Sequence, residues 1–331
     1  MPRAVIIGSG SEIAPTRMTN DQMARIMDTS DEWIRARSGV ETRHFATPDV
    51  ATSDLGVAAS RKALEAAGVE KEEVDLVVFA TMTPDHYFPG CGTLLQDKLG
   101  LRTVPCFDIR QQCSGFLYGL QLADAHIRAG LAKTVLLVGA EVHIGFMPWT
   151  RENYAYALGE SDVPPTKEEW EWNTRFRHLV VLFGDAGAAV VLRASEDGER
   201  GLLDHDLHGA GADHEKLYVP GTGFKHRPYI DADQLARGDH IPVMEGRAVF
   251  KLATTHMGEV AKTVLQRNGV SPDQVKVVLM HQANKRINEY CQKLLGLPDE
   301  KVPHNIQKYG NTTAATIPLL WDECVRDGRI T

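Results

Sequence analysis

The sequence predicts an α/β fold made of two pseudo-symmetric halves, and three observations carry that reading. A supersecondary unit is written twice: with a shift of 201 residues, Leu64, Gly68, Val69, Val74 and Val77 fall on Leu265, Gly269, Val270, Val275 and Val278, each copy reading as a helix, a glycine turn and a buried strand. With a shift of 198, Leu122, Asp124, Arg128 and Gly130 fall on Leu320, Asp322, Arg326 and Gly328, inside an amphipathic helix that stops at the glycine. Elsewhere short apolar strands alternate with amphipathic helices, the pattern of mixed or parallel sheets covered on both faces. The repeat divides the chain into halves 1–197 and 198–331.

Taken in order, residues 4–8 read as a first strand, since the apolar run there is too short for a signal sequence. Residues 29–36 open with acidic residues and read as a helix, as do 54–67. Strand 74–80, helix 93–99, strand 104–109, helix 114–129 and strand 134–139 then alternate. After an irregular stretch, 180–183 and 186–192 read as strands that close the first half. In the second half the order returns as helix 248–268, strand 275–280, helix 284–294 and helix 312–326, the last following a Gly-Asn turn.

Composition narrows the function. The 331 residues are 43% hydrophobic and 24% charged, ordinary for a globular protein with two domain-sized cores. A net charge of −8 gives no reason to expect nucleic acid, and no window is long and apolar enough to span a membrane. Five cysteines, at 91, 106, 113, 291 and 324, are odd in number and lack paired metal-ligand spacing, so reduced thiols in the cytoplasm are expected.

Three residues carry the chemistry. Cys113 sits where a buried strand runs into a helix; the unsatisfied N–H groups there are expected to stabilise thiolate and lower its pKa. Gly115 and Gly119 leave that helix a thin face for close packing or a narrow tunnel. His281 follows the repeated strand of the second half, where its ring can lie over the sheet edge while a backbone group holds its other nitrogen. Asn311 stands on the repeat register opposite Cys113. Read singly, a cysteine is most often an inert buried thiol, a histidine a satisfied structural ring, and a Gly-Asn pair a turn. Together at strand ends they form a thioester-handling site, with a nucleophile and two groups for an oxyanion. Gly8-Ser-Gly10 lacks the third glycine of a dinucleotide loop. His205, Asp206, His208 and His214 read as a solvated loop; no metal and no organic cofactor is expected.

The segments Thr29-Ser-Asp-Glu-Trp-Ile, Glu41-Thr-Arg-His, Asp85-His-Tyr-Phe-Pro, Gln112-Cys-Ser-Gly-Phe, Phe183-Gly-Asp-Ala-Gly-Ala-Ala, His281-Gln-Ala-Asn and Gly310-Asn-Thr together resemble those of the 3-oxoacyl-[acyl-carrier-protein] synthase III family in the thiolase superfamily. The resemblance implies a thiolase-like five-layered αβαβα fold, a homodimer and a Cys113–His281–Asn311 triad. It implies a condensation in which Cys113 takes an acyl group from acyl-CoA and a malonyl thioester then loses CO₂ to give a 3-oxoacyl thioester, for fatty-acid or specialised lipid and polyketide synthesis. In that scheme thiolate serves loading, and His281 and Asn311 serve decarboxylation. By position, Trp33 and Arg177 match the pair that holds the CoA adenine, Arg37 a contact near its phosphates, and Gly246 and Asn284 the pantetheine channel. Phe88 matches an aromatic that closes the partner's acyl pocket, and Lys251, Arg286 and Lys293 match a docking patch for acyl carrier protein. Two other functions share this scaffold: acyl transfer to an oxygen or nitrogen nucleophile without decarboxylation, and a non-catalytic subunit that only shapes the tunnel.

The chain departs from the family pattern at Arg247, where an asparagine is usual, and it ends at Thr331, before the family's last strands and glycine-rich loop. A long stretch at 142–176 carries Trp149, Tyr154, Tyr156, Trp170 and Trp172, and reads either as a lid or added wall at the tunnel mouth or as a packed surface elaboration that extends the dimer contact.

Overall fold

The computed structural model describes residues 2–195 and 200–331; the expected boundary between the halves, at 197/198, lies outside them. β1 (Ala4–Ile13) is followed by β2 (Thr16–Thr19), α1 (Asn20–Ala24), α2 (Asp31–Ser38) and β3 (Thr42–Phe45), with β2 and β3 pairing antiparallel. Then come α3 (Thr52–Ala67), β4 (Leu76–Ala80), α4 (Cys91–Leu99), β5 (Cys106–Ile109), α5 (Gly115–Arg128) and β6 (Thr134–Glu141). The long stretch folds as α6 (Arg151–Leu158) and α7 (Lys167–Val180), and β7 (Ala186–Ala194) returns to the sheet. Beyond it lie β8 (Leu217–Tyr218), α8 (Ala232–Arg237), β9 (Val243–Met244), α9 (Gly246–Arg267), α10 (Lys285–Leu295), α11 (Ile306–Tyr309) and α12 (Thr316–Arg326).

The main sheet has the order β1-β7-β6-β4-β5, with β4 parallel to both β5 and β6, and β7 antiparallel to its neighbours. β4 is apolar throughout, and β6 and β7 are so between their ends, because both faces are covered. Val77, Phe79, Leu136 and Val138 point to a core shared with Leu55, Ala63 and Leu95 of α3 and α4. Their alternates Leu76, Val78, Val135 and Leu137 point to a second core, with Phe116, Ala123 and Ile127 of α5 and Ile317 of α12. Each such Val, Leu, Ile or Phe side chain contributes about 1.5–3 kcal/mol by leaving water.

The sequence repeat has a structural counterpart. In α5, Asp124 pairs with Arg128 at 2.6 Å and accepts the backbone N–H of Ala4 in β1; in α12, Asp322 pairs with Arg326 at 2.8 Å and accepts the hydroxyls of Ser9 and Ser11, also in β1. Both helices therefore anchor on the same edge strand through the repeated Asp-x₃-Arg.

Two expected strands differ. Residues 180–183 continue α7 and its closing turn: Thr166 starts that helix with a capping box to Glu169, and Phe176, Leu179 and Val180 are buried at helical spacing. Residues 275–280 form no ladder. Val278 N–H donates to Lys301 O at 2.8 Å, but no described strand lies alongside, and an apolar run becomes a strand only beside a partner. Among the described residues no helix is long and apolar enough to cross a membrane.

Candidate active site

Cys113 lies in a single 3₁₀ turn, Gln112–Ser114, between β5 and α5. Gln112 before it holds φ at 44°, a left-handed conformation costly for a non-glycine residue. A Cβ on Gly115 would come within 2.9 Å of Ala80, and one on Gly119 within 2.3 Å of Leu137, so the thin face of α5 serves close packing on the sheet rather than a tunnel. At Gly139 in β6, a Cβ would fall 2.5 Å from the carbonyl oxygen of Ala314. The bare backbone there lets the Thr313–Ala315 turn settle on the sheet, which carries the Asn311 side chain to the Cys113 thiol.

Burial outweighs the helix start at Cys113. The expected lowering of its pKa is not found: protein atoms crowd the thiol and the nearby Glu141 carboxylate repels thiolate, so it is pushed up to about 12 despite the Asn311 hydrogen bond. Glu141 is itself fully buried and accepts from the Thr81 and Thr83 hydroxyls, at 2.9 and 2.5 Å, and from the Met82 and Thr83 backbone N–H groups; desolvation raises its own carboxyl.

His281 is held by a side chain where the sequence suggested backbone. Its Nδ1 lies 2.6 Å from Thr316 Oγ1, and that hydroxyl donates to the carbonyl of Thr313 at 3.0 Å. With the Thr316 proton so committed, Nδ1–H is the donor to Thr316, and Nε2 carries the lone pair. Nε2 is buried without a partner among the described residues, and desolvation lowers the imidazole to about 4, so the ring is neutral at pH 7. Asn311 accepts from Thr313 N–H through Oδ1 at 2.8 Å, which turns its NH₂ away from the turn and toward Cys113. Thr313 holds φ at 48° and bonds His143 Nε2 at 2.8 Å.

A cavity of about 2040 Å³ is lined by Cys113, His281 and Asn311 together with Trp33, Arg37, Gly246 and Asn284. It exceeds the roughly 300–1,000 Å³ of ordinary small-molecule sites because it also takes in the apolar faces of α9 and α10 and of residues 275–280, among them Val264, Leu265, Val275 and Leu295. Arg177 is outside the lining but stacks on the Trp33 ring at 5.1 Å, while Arg37 covers that ring at 4.4 Å. Arg177 is tied to the Asp28 carboxylate at 2.5 Å and to its backbone carbonyl. Asn284 caps α10 and donates to the Arg37 carbonyl at 2.9 Å. Phe88 is 80% exposed and does not line the cavity. Lys251, Arg286 and Lys293 are exposed on α9 and α10, outside the cavity, with Arg286 over the Phe250 ring.

The loop histidines do not converge: His205 bonds Asp124, and His208 bonds Asp206. Among the described residues no three side chains gather to hold a metal. Nor do the aromatics of the long stretch form a lid. Trp149, Tyr154, Tyr156 and Trp172 pack into a core with Met18, Met23 and Phe45, and none of these four, nor Trp170, lines the cavity.

Sequence reasoning missed Thr316, Thr313, His143 and Glu141. Glu141 left a readable signal, a carboxylate closing a strand whose every residue is buried. The threonines left none, since Thr312-Thr-Ala-Ala-Thr316 reads as a small-residue helix start.

The profile of the 3-oxoacyl-[acyl-carrier-protein (ACP)] synthase III family matches residues 107–161, and that of its C-terminal region matches residues 265–331. Among solved structures, 3-oxoacyl-[acyl-carrier-protein] synthase III from Aquifex aeolicus VF5 is 35% identical over 99% of this chain and 92% of its own, with a TM-score of 0.83. The enzyme of the same description from Pseudomonas aeruginosa PAO1 is 34% identical over 99% and 91%, with a TM-score of 0.82. The priming β-ketosynthase of the R1128 polyketide pathway is 27% identical over 99% and 89%, also at 0.82. These matches bear out the thiolase-like α/β fold, and with this identity over nearly its whole length the chain belongs to the 3-oxoacyl-[acyl-carrier-protein] synthase III family of acyltransferases.

Proposed function

We propose that the enzyme carries out an acyl-CoA-primed decarboxylative Claisen condensation with Cys113, His281 and Asn311 as its catalytic residues. The observation that supports this most is that all three line one cavity, with a neutral imidazole whose Nε2 is unpartnered and an amide already bonded to the thiol. In loading, Cys113 Sγ attacks the acyl-CoA carbonyl while its proton passes to His281 Nε2; the tetrahedral intermediate collapses, and CoA leaves as the thiol with that proton. A thiol held near 12 needs this base, which gives His281 a part in loading beyond the one read from the sequence. In condensation, His281 and Asn311 donate to the malonyl thioester oxygen, so loss of CO₂ leaves a stabilised enolate; its carbon attacks the acyl-cysteine carbonyl, the C–S bond breaks, and the 3-oxoacyl thioester departs as the Cys113 thiolate leaves and takes up a proton from solvent.

Trp33, Arg37 and Arg177 would hold the CoA end. Arg177 at 5.1 Å leaves no room for an aromatic base on that face, because two stacking contacts of about 3.5 Å each are required; adenine binding would swing Arg177 from Trp33 and Asp28. Gly246 and Asn284 would line the pantetheine path. Lys251, Arg286 and Lys293 would steer an acidic carrier protein to a chain whose net charge is −8. A homodimer fits β5, an edge strand with Phe107 exposed, together with the exposed Phe88. Five free cysteines fit a reducing cytoplasm.

Intact-protein mass after incubation with acyl-CoA, followed by labelled CO₂ release from a malonyl thioester, tests the proposal. An adduct on the wild-type enzyme, none on Cys113→Ala, and CO₂ release that depends on loading are expected. Loading without CO₂ release points instead to transfer to oxygen or nitrogen.

A further inference from the structure

Thr313 is the point at which the supports of the site converge, because its three polar atoms are spent on three different neighbours. Its N–H fixes Asn311 Oδ1 at 2.8 Å, its carbonyl accepts the Thr316 hydroxyl that holds His281, and its own hydroxyl lies 2.8 Å from His143 Nε2. Thr313 is fully buried and holds φ at 48°, a left-handed conformation unfavourable for a β-branched residue, and such a conformation persists only where the surroundings impose it. His143 does so from outside the cavity. Val142, Ile144, Gly145 and Phe146 line the cavity, whereas His143 among them does not and is 1% exposed. Both of its ring nitrogens are used. Nδ1 lies 2.9 Å from the Gly184 carbonyl, which can only accept, so Nδ1 carries a proton and Nε2 of the neutral ring accepts the Thr313 hydroxyl proton. The ring stacks on Phe183 with centroids 4.7 Å apart, and the buried Asp185 carboxylate accepts the His143 backbone N–H at 2.6 Å. The segment it grips also carries the Asn311 backbone: Asn311 N–H donates to Leu182 O at 2.7 Å, and Gly184 N–H donates to Asn311 O at 3.2 Å. The imidazole therefore closes a bracket, with Asn311 held at its backbone through residues 182–184 and at its side chain through Thr313.

We propose that His143 is a positioning residue for the condensation: it pins Thr313, and through that one residue sets the direction of the Asn311 amide and of the Thr316 hydroxyl behind His281. The inference rests on the proposed decarboxylative reaction and adds the residue that aims its two donors. His143 touches no substrate. Its loss lets the Thr313 turn relax, and the amide and the imidazole drift from the oxygen they serve. Donors to a developing oxyanion are worth most when they are aimed before the charge appears.

The test is steady-state release of labelled CO₂ from a malonyl thioester by the acyl-loaded enzyme, with kcat and KM separated, in His143→Phe, Thr313→Ala and the double variant. Each single change is expected to lower kcat by about 10-fold or more with KM held within about 2-fold, the signature of an interaction felt in the transition state. The double variant is expected to be no slower than the slower single one, because both changes remove the same hydrogen bond. The side chain of His143→Gln reaches the Nε2 position and is expected to recover most of the rate. That of His143→Asn reaches only the Nδ1 position and is expected to recover none. Should His143→Phe fail to fold, Thr313→Ala and the Gln and Asn variants carry the test. Wild-type kcat in Thr313→Ala, losses that multiply in the double variant, or equal rates in the Gln and Asn variants overturn the inference while the condensation stands. No CO₂ release by the wild-type enzyme overturns the condensation and the inference with it.

Discussion

Thr316 Oγ1 lies 2.6 Å from His281 Nδ1 and 3.0 Å from the carbonyl of Thr313, a hydroxyl placed to accept from the imidazole while donating to the backbone. The two proposed half-reactions would ask opposite things of His281. Loading would need a bare Nε2 to take the thiol proton, whereas decarboxylation would need an Nε2–H to donate. Rotation of the Thr316 O–H from Thr313 to Nδ1 makes the second tautomer the favoured one, since a hydroxyl can serve as donor or acceptor. Thr316→Val removes both roles with little change of shape. Labelled CO₂ release by this variant is expected to fall by about 10-fold or more, less than the roughly 10²-fold of His281→Ala, and Thr316→Ser is expected to restore it. Wild-type rates in Thr316→Val would show that the ring needs no such partner.

The Cys113 thiol, pushed up to about 12, is protonated at neutral pH, and its thiolate fraction grows tenfold per pH unit until that value is reached. Alkylation of Cys113 by iodoacetamide in the free enzyme is therefore expected to be at least about 10-fold slower at pH 8 than that of free cysteine, whose pKa is about 8.5. The rate should keep rising log-linearly to pH 10. A plateau near pH 8, measured by peptide mapping, would mean that the helix start dominates after all.

The parts of the site legible in the sequence were those that the repeat made conspicuous. Cys113 and Asn311 differ at matched positions, and His281 ends a duplicated apolar run, so chemistry stood out against a symmetric background. What supports them was not legible for a physical reason: Thr316, Thr313 and His143 act through single hydrogen bonds between segments 35 to 170 residues apart, and no local pattern encodes such a pairing. The elements failed where an apolar run has two readings. Val180-Val-Leu-Phe183 reads as a strand, but the Thr166 capping box had already committed the chain to a helix. Residues 275–280 have strand composition without a strand to pair with.

His281 ties stability to acidity. Its folded pKa of about 4 lies below the ordinary 6.5, so between those values the unfolded chain binds a proton that the folded chain refuses, and stability falls as pH drops from 6.5 to 4. The difference is worth about 3 kcal/mol. His44, His178, His240 and His304 are also lowered by burial and add to the same slope. Urea unfolding at pH 7 and pH 4.5 is expected to show a loss in the wild type that is smaller in His281→Asn. Equal losses in both proteins would mean that the ring is not desolvated in the folded state.

Phe88 is 80% exposed and absent from the cavity of its own chain. It stands beyond a segment firmly held at its base, where the Asp85 carboxylate accepts from Ser53 N–H and Oγ–H at 2.9 and 2.5 Å, and Thr83 bonds Glu141. A large apolar side chain projected into solvent from an anchored segment fits the proposed homodimer, and the edge strand β5 leaves room for a second copy of the chain. If Phe88 closes the acyl cavity of the other subunit, its effect must act in trans. The Phe88→Ala enzyme is expected to show an altered acyl-CoA loading profile. Mixing that variant with Cys113→Ala chains forms heterodimers in which the one intact Cys113 belongs to the Phe88→Ala chain and meets the partner's Phe88. Their loading profile is expected to return to wild type. An altered profile that persists in the heterodimer would assign Phe88 to its own subunit, and a monomer in sedimentation of the wild-type enzyme would remove the trans reading outright.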